Sequence, residues 1–202
     1  SWIGYFSPRD NKWNEASNTT TFFFSEGWVN LMYEYAITNI FAPWIQLKNI
    51  NMSGENPNKE MYAIAQISKI MGLHRSTDKF GPIPYKQVGN GSFTVEYDSQ
   101  ESVYRSFFEE LDEAVTVLYD FYMKANNTVP MASDVVYEGD VTKWIRLANS
   151  LMLRLAIRVR YADEVLARTY AEKAIKNPIG VMESIDDRAK KKKGTNLKKK
   201  QP

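Results

Sequence analysis

The stretch GDVTKWIRLANSLMLRLAIRVR, residues 139–160, predicts a helix with a clearly marked start. Asp140 is a suitable N-cap because its carboxylate can accept hydrogen bonds from the unpaired N–H groups of the first helical turn. Apolar residues then recur every three or four positions and therefore share one face of the helix. These residues are Val141, Trp144, Ile145, Ala148, Leu151, Met152, Leu155, Ala156 and Val159.

Three further apolar residues, Leu147, Leu153 and Ile157, widen that face beyond the usual stripe. A helix that is apolar over most of its circumference is covered by neighbours on several sides. The pattern therefore predicts that residues 140–160 form the central helix of an all-helical domain.

The composition limits the classes of protein to which the chain can belong. The chain has 202 residues, 44% of them hydrophobic and 25% charged, which suits one sizeable core or half of something larger. It has no cysteine, which excludes disulfides, thiolate metal sites and cysteine nucleophiles. No apolar run approaches the roughly 20 residues of a membrane helix, and residue 1 opens no signal peptide. We expect either a cytosolic protein or one whose targeting segment precedes this numbering.

The positive charge is concentrated at the end of the chain. Eight of the 26 basic residues follow Asp187 and no acidic residue does, so residues 1–187 hold 18 basic against 24 acidic residues. An acidic body argues against a nucleic-acid-binding surface. We predict a helical domain over residues 1–187 and a disordered or non-native lysine-rich tail over residues 188–202. An arm for an anionic partner is the alternative for the tail.

The other helices also carry start and stop signals. Helical periodicity begins near Ser25 and places Leu31, Tyr35, Ala36 and Ile40 on one face, and Pro43 predicts a kink or a new start. A second helix follows the turn over residues 51–57 and ends at Gly81 and two prolines. Asp98 and Glu101 form a capping-box pattern before a third helix.

After residue 160, Asp163 can cap a short helix that Asn177-Pro178 ends. The whole chain therefore reads as helices joined by turns, with two longer loops and no convincing strand. We predict an all-α fold of tetratricopeptide-like antiparallel helix pairs.

Two groups of residues bear on catalysis and metal binding. The acids Glu109, Glu110, Asp112 and Glu113 could be paired glycosidase carboxylates, but four acids in five residues more often form a solvated helix face. His74 is the only histidine and is interpreted as a packing residue. Without cysteine or a second histidine a zinc site is disfavoured, so we predict no metal and no cofactor.

Residues 1–25 are rich in aromatic side chains without a clear period. These aromatics either pack the segment onto the helices or form a stacking platform for a sugar or a peptide. A hydrolase that uses the acidic cluster is a third possibility, but one exposed helix face does not supply two carboxylates across a cleft.

Three segments together resemble the SusD/RagB family of outer-membrane nutrient-binding lipoproteins. They are HRSTDKFGPIPY at residues 74–85, YDSQESVY at residues 97–104 continuing to Ala114, and DVVYEGDVTKW at residues 134–144 with the ANSL and LRLA runs that follow. The resemblance covers roughly residues 25–180. It implies an all-α fold with tetratricopeptide-like pairs and long loops that carry the ligand site.

The resemblance also implies a function without catalysis. Such proteins are lipid-anchored at the cell surface of Gram-negative bacteria, where they bind oligosaccharides, or in some branches peptides. They pass the ligand to a SusC-like TonB-dependent transporter barrel. This chain has no lipidated cysteine and resembles the N-terminal portion of the family, so we expect it to begin inside the mature protein. A tetratricopeptide-like scaffold that contacts only the transporter is the alternative.

Site residues follow from the resemblance only loosely. Relatives often bind ligand with aromatics that precede the first long helix, so Tyr5, Arg9, Asn11 and Trp13 are the predicted ligand-binding residues. Arg75 and Asp78 lie three residues apart and are expected to pair. The residues of the matched motifs are predicted to be structural: Arg75, Asp78, Asp140, Trp144, Asn149 and Arg154.

Overall fold

The computed structural model describes residue 15, residue 23 and residues 26–130 and 134–190. Over this part of the chain no β-strand forms and only two isolated bridges occur, which confirms the all-α class. No helix in these ranges has the length and apolarity that crossing a membrane requires. The elements are α1 (Glu26–Ala36), a π-helical turn (Ile37–Phe41), α2 (Ala42–Met52), α3 (Lys59–Phe80), α4 (Gln100–Met123), α5 (Val141–Val159), α6 (Glu164–Lys176) and a 3-10 turn (Ile185–Asp187).

From α2 onward each helix packs on the next, and α3 and α4 are antiparallel. Along α3 and α4, Gln100 Nε2 donates to the Thr77 carbonyl at 2.7 Å, and Lys69 Nζ lies 2.8 Å from Glu110 Oε2. Residue numbers therefore rise on α4 as they fall on α3, which defines the antiparallel direction. Helix α4 also packs on α5, and α5 packs on α6. The core between them is closed by side chains with no exposed surface, among them Phe107, Phe108, Leu111, Ile145 and Leu155.

Helix α5 begins where the sequence predicts. Asp140 Oδ1 accepts from the Lys143 N–H at 3.2 Å and from the Thr142 hydroxyl at 2.8 Å. The predicted apolar face is buried or half-buried along its whole length. The prediction for Ile157 is wrong, because its side chain is 59% exposed. The helices that cover α5 leave that side open near its C-terminus, so the sequence overestimates the width of the covered face.

We expect Asp140→Ala to lower the free energy of unfolding by about 1 kcal/mol, because the first turn of α5 loses its capping acceptor. That loss corresponds to a fall of about 2–4 °C in Tm for a chain of this size. Thermal unfolding followed by circular dichroism measures it. Asp120→Ala, which removes an exposed acid of α4, is the matched control. Equal Tm values for the two variants would contradict this role of Asp140.

Asp134 fastens the loop before α5. Its carboxylate accepts from the backbone N–H groups of Val136, Tyr137 and Gly139 and from the indole N–H of Trp144 at 2.7 Å. Gly139 has φ +81°, and a Cβ there would lie 2.1 Å from the carbonyl oxygen of Val129. Glycine is therefore the residue that this close approach requires.

The end of the described chain returns to α5. The Asp187 carboxylate accepts from the backbone N–H groups of Glu183 and Ser184 and from Arg146 Nη1 at 2.9 Å. The Glu183 N–H, followed by the Arg146 guanidinium, lowers the pKa of Asp187 to about 2. The Tyr137 hydroxyl donates to the Asp187 carbonyl. Asp187 thereby connects the end of the described chain to α5 and to the loop before α5.

The predicted interruption near Pro43 takes the form of the π turn rather than a break. The helix runs on into α2 with proline in its first turn. Ile40 of the π turn packs so closely on α3 that a Cβ at Gly72 would lie 2.5 Å from Ile40 Cδ1. A π turn holds extra residues and shifts the helical register. The predicted face is confirmed for Ala36 and Ile40, which pack against the core together with Tyr33 and Ile37. It is wrong for Leu31 and Tyr35, which are exposed.

Helix α4 begins one residue later than predicted. Ser99 is the N-cap, since its hydroxyl accepts from the Ser102 N–H, and the predicted capping box of Asp98 and Glu101 does not form. Asp98 instead accepts from the N–H groups of Tyr85 and Lys86 across the α3–α4 loop. The prediction for α6 is confirmed, because Asp163 accepts from the Leu166 N–H and the helix ends before Asn177.

Candidate ligand-binding surface

An aromatic pair lies at the surface between α1 and the loop that precedes α4. The rings of Tyr33 and Tyr97 are parallel within 2°, with centroids 6.4 Å apart, and the two hydroxyl oxygens are 2.8 Å apart. Tyr97 is 61% exposed. Parallel aromatic rings that face solvent and end in hydroxyl groups offer an apolar surface with polar ends. We call these two residues the tyrosine pair.

The Tyr33 ring is held from behind, and the backbone next to Tyr97 is fixed. The edge of Phe80, the last residue of α3, meets the Tyr33 ring at a centroid distance of 5.4 Å. Tyr97 precedes Asp98, whose backbone pairs with Ile83 in both directions at 3.2 and 2.9 Å. The Asp98 carboxylate also binds two N–H groups of the opposite end of the loop. The Tyr33 ring and the backbone beside Tyr97 are thus positioned before any ligand arrives.

The Tyr33 side chain is uncharged. Partial burial, followed by the contact with Tyr97, raises the pKa of Tyr33 well above its ordinary value. The Tyr33 hydroxyl therefore remains protonated at any physiological pH, and a tyrosine hydroxyl can donate or accept a hydrogen bond. Such a surface suits a neutral ligand with both apolar C–H faces and hydroxyl groups.

Two other exposed aromatics lie near the pair in sequence. Phe93, on the same loop as Tyr97, is fully exposed. Tyr35 lies two residues after Tyr33 on α1 and is also exposed, but a separation of two residues places it on another side of the helix. Tyr35 therefore provides a matched comparison for Tyr33.

The predicted ligand-binding residues Tyr5, Arg9, Asn11 and Trp13 lie outside the described residues, so their prediction stays a prediction. The sequence analysis missed the tyrosine pair. The role of Tyr33 is not predictable from the periodicity of α1, because Tyr33 lies outside the predicted face. The role of Tyr97 is not predictable because its partner is 64 residues away. A tyrosine directly before the polar turn at Asp98 was the only local signal.

The acidic residues of α4 are not all on a solvated face, because that prediction is wrong for Glu110. Glu110 accepts from the Tyr85 hydroxyl at 2.6 Å and pairs with Lys69, whose side chain is only 2% exposed. Asp112 pairs with Lys173 of α6. These partners come from neighbouring helices, which a single-helix pattern cannot reveal. The paired acids do not converge on each other across a cleft, as glycosidase carboxylates do.

The buried Lys69 is surrounded by aromatic rings. Its Nζ lies 4.1 Å from the ring centroid of Trp44 and 4.6 Å from that of Tyr85. Burial lowers the pKa of Lys69, whereas the Glu110 carboxylate acts in the opposite direction. Burial likewise raises the pKa of Tyr85. Charge, hydrogen bond and ring contacts together stabilise the cation inside the protein.

Of the matched motif residues predicted to be structural, Trp144 and Asn149 lie within the packing of the helices, whereas Arg75 and Arg154 are exposed. Asn149 is buried and donates to the Gly180 carbonyl at 2.8 Å. His74 is also buried, with Nδ1 3.2 Å from the Ile70 carbonyl, and burial lowers its pKa. The expected pair of Arg75 with Asp78 does not form. Asp78 pairs with Arg158 of α5 at 2.7 Å instead, because α5 crosses the C-terminal end of α3.

A cavity of about 490 Å³ opens where the ends of four helices meet. Asp78 of α3, Tyr104 and Arg105 of α4, Arg158 of α5 and Asp163 before α6 contribute its polar wall. We call it the four-helix cavity. Across residues 26–130 and 134–190, no group of three histidine or acidic side chains is placed to hold a metal ion.

Comparison with known proteins places the fold. The family model described as "SusD-like: Susd and RagB outer membrane lipoprotein" matches residues 1–201. A chitin-binding SusD homolog from Flavobacterium johnsoniae is 34% identical with a TM-score of 0.82, over 91% of this chain and 38% of that one. A SusD homolog from Bacteroides vulgatus is 32% identical with a TM-score of 0.77, over 85% and 34%. Another from Bacteroides uniformis is 40% identical with a TM-score of 0.67, over 76% and 30%.

The chain therefore spans less than two fifths of the length of each of these relatives. Comparison with curated proteins gives no match.

Proposed function

Because the chain belongs to the SusD-like family of outer membrane lipoproteins, we propose that it binds oligosaccharides at the bacterial cell surface. The observation that carries this proposal is the tyrosine pair, in which the exposed ring of Tyr97 lies parallel to the half-buried ring of Tyr33, and Phe80 supports Tyr33. A relative with 34% identity is a chitin-binding protein, which supports a glycan as the ligand class.

The proposed mode of binding follows from the chemistry of the pair. The C–H face of a sugar ring stacks on the aromatic surface, and its hydroxyl groups exchange hydrogen bonds with the tyrosine hydroxyls. We propose that Tyr5, Arg9, Asn11 and Trp13 extend this site with further rings and hydrogen-bonding side chains. These residues precede α1, the helix that carries Tyr33.

We further propose the setting in which binding is used. The protein works at the outer membrane of a Gram-negative bacterium, with a lipid anchor in the full-length form. It delivers its ligand to a SusC-like TonB-dependent transporter barrel and performs no catalysis. Nucleic acid is not a proposed partner, because residues 1–187 carry an excess of acidic residues. A peptide ligand, or contact with the transporter alone, would be alternative outcomes of the tests below.

We expect Tyr97→Ala to weaken binding of the best hexasaccharide by about tenfold, the typical loss for a central aromatic contact. The panel for isothermal titration includes chitohexaose, maltohexaose and cellohexaose. Tyr33→Ala is expected to act in the same direction. Tyr33→Phe retains the ring and removes only the hydroxyl contact, so it should lose less.

Tyr35→Ala is the matched control, since it removes an exposed tyrosine from the same helix outside the pair. Equal affinities of Tyr97→Ala and Tyr35→Ala would contradict the role of the pair.

Trp13→Ala tests the extended site: lost glycan binding with intact capture of the transporter supports a ligand platform. Loss of transporter capture, with no glycan binding anywhere in the panel, would favour a scaffold that contacts only the transporter. Binding of a peptide instead of a glycan would favour a peptide-binding member of the family.

A further inference from the structure

The four-helix cavity is separate from the tyrosine pair and has the size of a small-molecule site. Its volume of about 490 Å³ falls within the range of roughly 300–1,000 Å³ that ligand pockets occupy. Neither Tyr33 nor Tyr97 lines it. Nothing in the proposed function accounts for this cavity.

The polar side chains of the cavity are fixed by contacts between different helices. Asp78 of α3 accepts from the Tyr104 hydroxyl of α4 and pairs with Arg158 of α5 at 2.7 Å. Arg105 of α4 pairs with Asp163, the N-cap of α6, at 2.8 Å. Groups held in this way meet a ligand without losing much further side-chain freedom.

Both guanidinium groups retain donors for a ligand. A guanidinium carries five N–H donors in a planar fork. Arg105 uses Nε and Nη2 for its two carboxylate partners. Arg158 uses Nη2 for Asp78 and also contacts the Tyr104 hydroxyl. About half of each of these side chains is exposed. The cavity therefore offers N–H donors beside carboxylate oxygens that still have lone pairs.

The charges select the class of ligand. Arg105 and Arg158 face three carboxylates, those of Asp78, Glu101 and Asp163, so the wall carries a small negative excess. That excess negative charge opposes an anionic ligand. The arginines already neutralise most of the carboxylate charge that would attract a cation. A neutral ligand whose groups both donate and accept fits both conditions. Hydroxyl groups on adjacent carbons have this property.

We propose that the four-helix cavity is a second binding site, which holds a terminal sugar ring of a neutral oligosaccharide. Aliphatic side chains supply the apolar side of the site, because Val159, Ala162 and Leu166 line the cavity beside the arginines. The ring packs its C–H face on these residues, and its hydroxyl groups bind the guanidinium and carboxylate groups. The choice of a sugar rests on the proposed function, whereas the neutral, hydroxyl-rich chemistry rests on the cavity.

The test uses saturation-transfer difference NMR of the full chain with chitotriose, maltotriose and cellotriose, and with citrate as an anionic comparison. In the Tyr97→Ala background, at least one trisaccharide is expected to retain its signal and citrate to give none. Adding Ala162→Trp places a large ring in the cavity without removing an ion pair, and should weaken that binding by about tenfold or more. Arg158→Gln, which keeps a donor for Asp78, should weaken it in the same direction.

Gln46→Trp, a substitution at an exposed position of α2, controls for the added ring. The proposal is overturned if Tyr97→Ala alone abolishes every trisaccharide signal, if Ala162→Trp has no more effect than Gln46→Trp, or if no trisaccharide binds. Its failure remains distinct from that of the surface site. Hexasaccharide binding that depends on Tyr97 can persist without the cavity, and cavity binding can persist where Tyr97→Ala has no effect.

Discussion

Replacement of Glu110 by alanine is expected to lower the free energy of unfolding by about 3–5 kcal/mol, the range for breaking a buried ion pair by removing one partner. Lys69 would then lie in an almost fully buried position without the carboxylate that favours its charged form. The Tyr85 hydroxyl would lose its acceptor at the same time. Urea unfolding followed by circular dichroism measures the change.

Glu113→Ala is the matched control, because Glu113 is an exposed acid one turn along the same helix. The double variant Lys69→Met/Glu110→Leu distinguishes the cause, since it removes both charges and fills their place with apolar side chains. Its stability is expected to recover most of the loss. A double variant as unstable as Glu110→Ala would show that the unpaired Lys69 charge is not the origin of the effect.

Asp134→Ala is expected to destabilise the protein by about 3 kcal/mol, since each buried donor left without an acceptor costs about 1–3 kcal/mol. The indole N–H of Trp144 and the backbone N–H of Gly139 both lose their partner. Asp134→Asn keeps one acceptor oxygen and should lose less. Val135→Ala, at an exposed position of the same loop, is the comparison.

Lowering the pH should remove the stabilisation that the Asp134 carboxylate provides. Burial acts to raise the pKa of Asp134, but the Gly139 N–H and the Trp144 indole outweigh it, so the pKa lies below its ordinary value. A depressed carboxylate pKa stabilises the fold at pH values above the ordinary one and loses that effect as the pH falls through the folded-state value. The stability gap between the native chain and Asp134→Ala should therefore narrow below about pH 4. A gap that stays constant down to pH 2 would contradict this account.

Local signals in the sequence were sufficient for the helices that begin at a capping residue. Asp140 and Asp163 act on N–H groups two or three residues away, so their role can be inferred from neighbouring residues. The start of α4 was misplaced for a non-local reason. Asp98 is as good a cap as Ser99 in isolation, but its carboxylate is occupied by residues 12 and 13 positions earlier.

The candidate site was less predictable than the fold. The tyrosine pair joins residues 64 positions apart, and the four-helix cavity joins the ends of four helices. Neither arrangement leaves a pattern along the chain. Leu31 and Tyr35 follow the predicted period of α1 but are exposed, whereas Tyr33 lies outside that period and packs against the core. The resemblance to the SusD/RagB family predicted the architecture because it draws on whole folds rather than on local spacing.

The contact at Asp187 has a mechanical consequence. A force applied to the chain beyond residue 187 does not first peel away the residues between α6 and that point. Arg146 carries the tension directly into the first half of α5, and the Tyr137 hydroxyl carries it into the loop that Asp134 fastens. The pull is therefore shared between two attachments at the same end of one helix. The segment from residue 177 to residue 186 is shielded from tension until those contacts separate.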